Sequence, residues 1–263
     1  MQILMVGYGA MAKVVMQALP KEMAIRWLVV REGKVQAVQH EVGSHIQVVS
    51  NIDDIQGAPD AVIEVAGQSA LQMHLPKAIA FGVPIGIISV GAFADDQWQQ
   101  SMVASAEKYG SRLHILSGAI AGVDALSAAK HAGLDEVIYQ GRKPPAGWQG
   151  SHAEHLVNLS ELTDAVTFYR GTAREAAQLF PANTNVAATL ALAGIGMDQT
   201  TVELTADPNI GRNQHQVKAR GAFGQLALVI EGDPLKDNPK TSQLAAMSVV
   251  RFCYDLINPM VIA

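Results

Sequence analysis

Residues 2–12 read Gln-Ile-Leu-Met-Val-Gly-Tyr-Gly-Ala-Met-Ala, an apolar run that leads straight into Gly7, Gly9 and Ala12. The spacing is that of a dinucleotide-binding turn with alanine in the third place. Gly7 permits the tight passage from strand to helix, and Gly9 omits a side chain where a pyrophosphate must approach the backbone. Ala12 lets the helix lie close on the strand. Phosphate oxygens would then meet the N–H groups of Ala10, Met11 and Ala12, where the helix dipole favours negative charge. An ordinary strand-to-helix turn is the plain alternative. Context favours the binding turn: Ile3 to Val6 is an unbroken apolar run, residues 10–19 are helix-forming, and Pro20 stops them.

Outward from this turn, residues 1–118 alternate short apolar runs with helical patterns. Strands are expected over 2–6, 25–30, 46–49, 61–65, 84–90 and 113–116, with helices over 10–19, 68–81 and 95–109. That alternation predicts an α/β fold, a Rossmann-type doubly wound parallel sheet. After Gly118 the pattern changes to hairpins and longer spacings. Residues 119–238 are expected to form a second, α+β domain for substrate binding and oligomerisation, with strands over 135–141, 165–170, 200–206, 214–220 and 225–230. Gly221-Ala222-Phe223-Gly224 reads as a hairpin turn. Helices are expected over 123–132, 173–179 and 186–193. Residues 239–263 supply a last helix, 241–257, apolar enough to return to the first domain, which would set an interdomain cleft near its start.

Composition narrows the function classes. The chain has 263 residues, 49% apolar and 16% charged, with a net charge of −5. No apolar run approaches the roughly 18 to 20 residues that span a bilayer, and no basic region precedes the first strand. Lys and Arg form no dense stretch, which argues against nucleic acid as partner. The single Cys253 lies among apolar residues and cannot form an internal disulfide. A buried thiol in a reducing cytoplasm is the expectation. His152 and His155 have no third ligand nearby, so solvated histidines are expected there and no metal site.

More specific are Ser117-Gly-Ala-Ile-Ala-Gly-Val-Asp-Ala, the run from Phe180 through Asn183 and Asn185 to Gly194, Asn213-Gln-His-Gln-Val, and Asp237-Asn-Pro-Lys-Thr-Ser. Together, in this order, they resemble the L-aspartate dehydrogenase family over essentially the whole chain. The resemblance implies NAD(P)-dependent oxidative deamination of L-aspartate to iminoaspartate, which hydrolyses to oxaloacetate and ammonia or feeds NAD biosynthesis. It also places the family's active-site histidine on His215 and makes Asn185 a cofactor contact.

The chemistry is sensible residue by residue. An amino-acid dehydrogenase holds two carboxylates, aligns a Cα–H bond with a nicotinamide, and needs a base. His215, in a polar segment before a strand, is the candidate; a hydrogen bond at a strand end is its plain alternative. Asn183 or Asn185 serves as well as a helix N-cap. Ala119 and Ala121, between Gly118 and Gly122, are candidate backbone contacts to the cofactor, against a simple close-packed crossover. Asp124 is a candidate cap for the helix that follows. Lys240, Thr241 and Ser242 are expected to open the last helix and receive a substrate carboxylate, against a capped helix with a solvated lysine. Ser89 to Phe93 end a strand facing the same crevice.

One position departs from the usual NAD pattern. An acidic residue about 20 residues past the glycines normally binds the ribose hydroxyls, yet here the strand ends Val29-Val30-Arg31. Arg31, with Lys34 near it, suits a 2′-phosphate, so the cofactor is NAD or NADP. The expected assembly is a homodimer or homotetramer that covers the outer face of the second sheet. Rival readings are an NAD(P)-sensing protein that does no chemistry and a homoserine-type dehydrogenase.

Overall fold

The computed structural model describes residues 1–235 and 238–262, with Pro239 and Lys240 described in backbone only. The chain forms two compact units, one of residues 1–116 with 246–262 and one of residues 117–245.

In the first unit the elements run β1 (Gln2–Val6), α1 (Ala10–Gln17), β2 (Ala24–Val29), α2 (Val35–Val42), β3 (Gln47–Val49), β4 (Ala61–Glu64), α3 (Gln68–Ile79), β5 (Pro84–Ile87), α4 (Asp96–Tyr109) and β6 (Arg112–Ile115). The six strands are parallel, in the order β3-β2-β1-β4-β5-β6. This is the doubly wound order, which reverses between β1 and β4 and so makes its ligand crevice at their carboxyl ends. Ile3, Leu4 and Met5 of β1 and Ile63 of β4 are fully buried, as strands covered by helices on both faces must be. Asp95 caps α4 by accepting from Gln97 and Trp98 N–H, and Gly110 closes the helix in the left-handed region.

Two expectations needed correction here. The strand expected over 84–90 stops at Ile87, and Val90–Ala94 is a buried 3₁₀ turn. Helix α2 was not foreseen, although Val35, Val38 and Val42 give it an apolar face and Gly43, at φ 77°, ends it.

The second unit contains α5 (Val123–Ala129), β7 (Leu134–Lys143), β8 (Val166–Thr172), α6 (Ala173–Leu179), α7 (Asn185–Ala193), β9 (Thr201–Ala206), β10 (Asn213–Gly221), β11 (Gly224–Gly232), β12 (Pro234–Leu235) and β13 (Asn238–Ser242). Its main sheet has the order β11-β10-β7-β9-β8, mixed because β7 and β9 run parallel. The β10–β11 hairpin closes on the Gly221–Gly224 pair. α8 (Gln243–Ile257) follows, and from Ala246 on it belongs to the first unit. The helix expected from residue 241 therefore begins later, because Asn238–Ser242 pair as a strand with Pro234–Leu235. Phe252 of α8 lies over β5 and β6: a Cβ on Gly86 would fall 2.7 Å from its ring, and the His114 ring lies tilted against it, centroids 5.1 Å apart. Cys253 is fully buried, and burial pushes its thiol up to about 12.

Candidate active site

The glycine turn has the geometry its spacing requires. Gly7 sits at φ 105°, its N–H donating to the Val29 carbonyl at 2.8 Å. A Cβ there would lie 2.8 Å from Ala66 Cα, so only glycine fits both the angle and the contact. Gly9 is the N-cap of α1, and a Cβ on it would meet nothing within 4 Å. Ala12, in contrast, is fully buried. The position a side chain on Gly9 would fill at the start of α1 is thus open, as the approach of a pyrophosphate to the backbone requires. Arg31 is exposed one residue past Val30, beyond the carboxyl end of β2, beside the 3₁₀ turn Glu32–Lys34.

Sequence reasoning passed over Glu64, the last residue of β4 and the register partner of Val6. Its carboxylate is 2% exposed and accepts from Ala66 N–H at 2.7 Å, Gly67 N–H at 2.9 Å, Ser89 N–H at 3.1 Å and the Ser89 hydroxyl at 2.8 Å. Burial raises its pKa and these donors oppose the rise. Glu64 holds Ala66 where it packs on Gly7, and Ser89 is engaged by it.

In the second unit, β7 presents Tyr139, Gly141 and Lys143 on one buried face, and β10 sets His215 directly opposite Gly141. Tyr139 Oη lies 2.8 Å from His215 Nδ1. That bond depends on the glycine, since a Cβ on Gly141 would fall 2.8 Å from the Tyr139 hydroxyl. His215 is 5% exposed, and burial first, then the charge of Lys143, lowers its pKa to about 3. It is neutral at physiological pH. Burial also raises the Tyr139 pKa, which keeps the phenol protonated. Lys143, itself 5% exposed, donates to Asn183 Oδ1 at 2.8 Å and stands 5.0 Å over the Trp148 ring.

Tyr139 and Lys143 were not among the expected site residues. The strand was expected to end at Gly141, and extending its buried alternation by one more step reaches Lys143.

Other expected residues fall as follows. Thr184 is the N-cap of α7, so neither Asn183 nor Asn185 caps it: Asn183 serves Lys143 and Asn185 is the first helical residue. Ala119 is buried and Ala121 exposed in the segment between Gly118 and Gly122, both glycines at positive φ. Gly122 is the N-cap of α5, and Asp124 lies in its first turn without capping it. Around the start of the last helix, where Lys240, Thr241 and Ser242 were expected to receive a substrate carboxylate, the chain makes bonds of its own. Thr241 Oγ1 accepts from Asn238, Gln243 N–H donates to the Asp233 carbonyl, and Leu244 N–H donates to the Ser242 hydroxyl. Those N–H groups are satisfied within the chain. The side chain of Lys240 lies outside the described residues. His152 lies tilted against His155, ring centroids 5.5 Å apart, and edge-on to Phe180 at 5.7 Å. Among the described residues no three His, Cys, Asp or Glu side chains converge to hold a metal, and no helix is long and apolar enough to cross a membrane.

A glycine cradle at the switch point of a doubly wound sheet, with a neutral buried imidazole on a second sheet, places the chain among the nicotinamide-dependent dehydrogenases. Residues 124–256 match the family described as aspartate dehydrogenase, C-terminal, and residues 6–116 match the NAD binding domain of homoserine dehydrogenase. The chain belongs to the L-aspartate dehydrogenase family. It is 52% identical to the L-aspartate dehydrogenase of Acinetobacter baylyi over 252 residues, 96% of each chain. With that of Serratia proteamaculans it shares 43% over 257 residues, 98% of this chain and 97% of the other. The crystal structure of aspartate dehydrogenase from Thermotoga maritima superposes with a TM-score of 0.80 at 25% identity, covering 100% of this chain and 99% of that one.

Proposed function

We propose that this protein oxidises L-aspartate with NAD or NADP, giving iminoaspartate and then, with water, oxaloacetate and ammonia. The observation that carries this reading is His215, a buried neutral imidazole beside a buried lysine in the half of the chain that matches aspartate dehydrogenase. When bound, the nicotinamide ring supplies the acceptor for the hydride leaving the substrate Cα.

The chain's own residues do the rest. N–H groups of Ala10, Met11 and Ala12 hold the pyrophosphate against the opening left by Gly9. Backbone at Ala119 and Ala121, and the amide of Asn185, contact the nicotinamide end. His215 takes a proton from the substrate amine or from the water that adds to the imine. For Nε2 to act as this base, Nδ1 must carry the ring proton and donate it to Tyr139 Oη, an arrangement that the 2.8 Å contact accommodates.

Arg31 reads the 2′-phosphate. Arg31→Ala should weaken NADP more than NAD by roughly 1 to 3 kcal/mol, the scale of a lost charge-assisted contact. Titrating both oxidised cofactors against the variant checks this, and equal losses would remove Arg31 from cofactor choice.

A homoserine-type activity is the second reading, favoured by the match of residues 6–116. A spectrophotometric screen for NAD(P)H formation with amino acids and hydroxy acids separates the two. L-aspartate should be the productive substrate, with oxaloacetate plus ammonia running in reverse. Turnover of homoserine instead would overturn the reading, and turnover of nothing in the panel would leave a nucleotide sensor. This reading goes with a homodimer or homotetramer assembled through the second sheet, where the edge strand β11 exposes Val229. It also goes with a reducing cytoplasm, which suits the single, buried Cys253.

A further inference from the structure

Glu64 brings a charge to the first unit as well as an anchor. Its carboxylate ends β4, 2% exposed, and accepts from the N–H groups of Ala66 and Gly67 and from both the N–H and the hydroxyl of Ser89. All of these partners are neutral donors, and among the described residues no cation pairs with it. Donors bonded to the charged form hold it ionised, and three of the four are backbone N–H groups that cannot accept a proton in return. Gly67 is also the N-cap of α3, so the helix dipole adds to their pull. The result is a buried negative charge without a counter-ion, which is costly to keep. Tying a turn does not require one. Asn158 Oδ1, a neutral amide oxygen, accepts in the same way from the N–H and the hydroxyl of Ser160.

The place of Glu64 in the sheet says what the charge meets. A dinucleotide crosses the carboxyl ends of a doubly wound sheet at the switch point, its adenosine ribose read from the end of β2 and its pyrophosphate held at the start of α1. The strand order β3-β2-β1-β4-β5-β6 then leaves the nicotinamide half to the ends of β4 and β5, where Glu64 and Ser89 stand. The nicotinamide ring is the one part of the cofactor whose charge changes in the reaction. Oxidised, it is a cation; reduced, it is neutral. A fixed anion at these strand ends therefore stabilises the first form and not the second.

We propose that Glu64 sets the redox balance of the bound cofactor, its buried carboxylate favouring the oxidised nicotinamide over the reduced one. The inference rests on the dehydrogenase reading and adds a preference of direction to it. When the reduced ring passes a hydride, one proton with two electrons, to an imine carbon, the imine nitrogen regains the proton that the base had taken and the ring becomes a cation. Glu64 stabilises that cation. The bound couple is thus more reducing than the free one, which favours the amine within the complex and leaves the overall equilibrium untouched.

The test reads binding to the full chain and needs no turnover. Calorimetry with oxidised NAD and fluorescence with NADH should show that the wild-type chain binds the oxidised form at least as tightly as the reduced. Glu64→Gln should weaken oxidised NAD relative to NADH by roughly 10- to 30-fold, the scale of one unit charge acting on another in a crevice of protein-like dielectric. ADP-ribose, which lacks the ring, should follow NADH within about twofold. Glu64→Asp keeps the charge and should keep the preference for the oxidised form, even where the shorter side chain loosens the turns and lowers both affinities.

A side chain that only anchored the turns would, when changed to Gln, lower all three affinities together, and that result would overturn the proposal. So would a Glu64→Asp chain that behaves as Glu64→Gln does. Should Glu64→Gln not fold, the wild-type ratio decides: NADH bound more tightly than oxidised NAD overturns the proposal too. A wild-type chain that binds no dinucleotide would refute this proposal and the dehydrogenase reading together. One that binds both forms without oxidising L-aspartate would refute only the dehydrogenase reading, with the ratio still decisive for Glu64.

Discussion

Replacing His215 with alanine lowers kcat by roughly 10² to 10⁴, the range for removing a general acid/base, with NAD(P) affinity near wild type. The expectation follows from placement. His215 sits opposite Gly141, bonded to Tyr139 through Nδ1 and 5% exposed, in a unit that does not contain the glycine cradle. A residue that only packed would reveal itself in the melting temperature. One that only held a carboxylate would raise KM and spare kcat. Steady-state kinetics with L-aspartate, set beside a thermal unfolding curve, distinguishes the three, and unchanged turnover would end the catalytic assignment.

Acid should destabilise the wild-type chain more steeply than it does His215→Gln. In the folded chain His215 resists protonation down to about pH 3, whereas in the unfolded chain it takes a proton near its ordinary 6.5. Between those values the unfolded state binds the extra proton. The contribution of this histidine is therefore present in full above 6.5 and is lost as pH falls, by about 1.4 kcal/mol for each pH unit. Removing the imidazole removes that slope. Denaturant unfolding of both proteins between about pH 7 and pH 5 measures it, and parallel stability curves would show that His215 is not buried in its neutral form.

How much of this could be read beforehand depends on what each residue's neighbours in sequence reveal. Gly7, Gly9 and Ala12 were legible because their roles are local: a turn angle, an opening and a close approach, all set within a few residues. The strands of both sheets followed from apolar runs and alternation. Glu64 was not legible, since its donors Ala66, Gly67 and Ser89 are brought together by the crossover from β4 to β5. Lys143 stands just before Pro144 and Pro145, with no local sign of burial, and its contacts are to Trp148 and to Asn183, the latter 40 residues away. The start of α8 was misplaced for a similar reason. Asn238 to Ser242 carry the polar, hydroxyl-rich composition of a helix start, but pairing with Pro234 and Leu235 claims them as a strand first.

The first unit is written in two pieces of the chain, with residues 117–245 between them. During synthesis, residues 1–116 emerge before the rest of their unit, with Gly86 and His114 shaped to fit a ring that has not yet been made. Phe252 arrives only after the whole second unit has left the ribosome. The inserted unit, continuous in sequence, is thus free to fold before the unit that encloses it in the gene is finished, and the nascent sheet must wait with apolar surface open. A chain cut short before α8 would keep every residue of the glycine cradle and every described residue around His215, and would still lack the side chain that closes its first core.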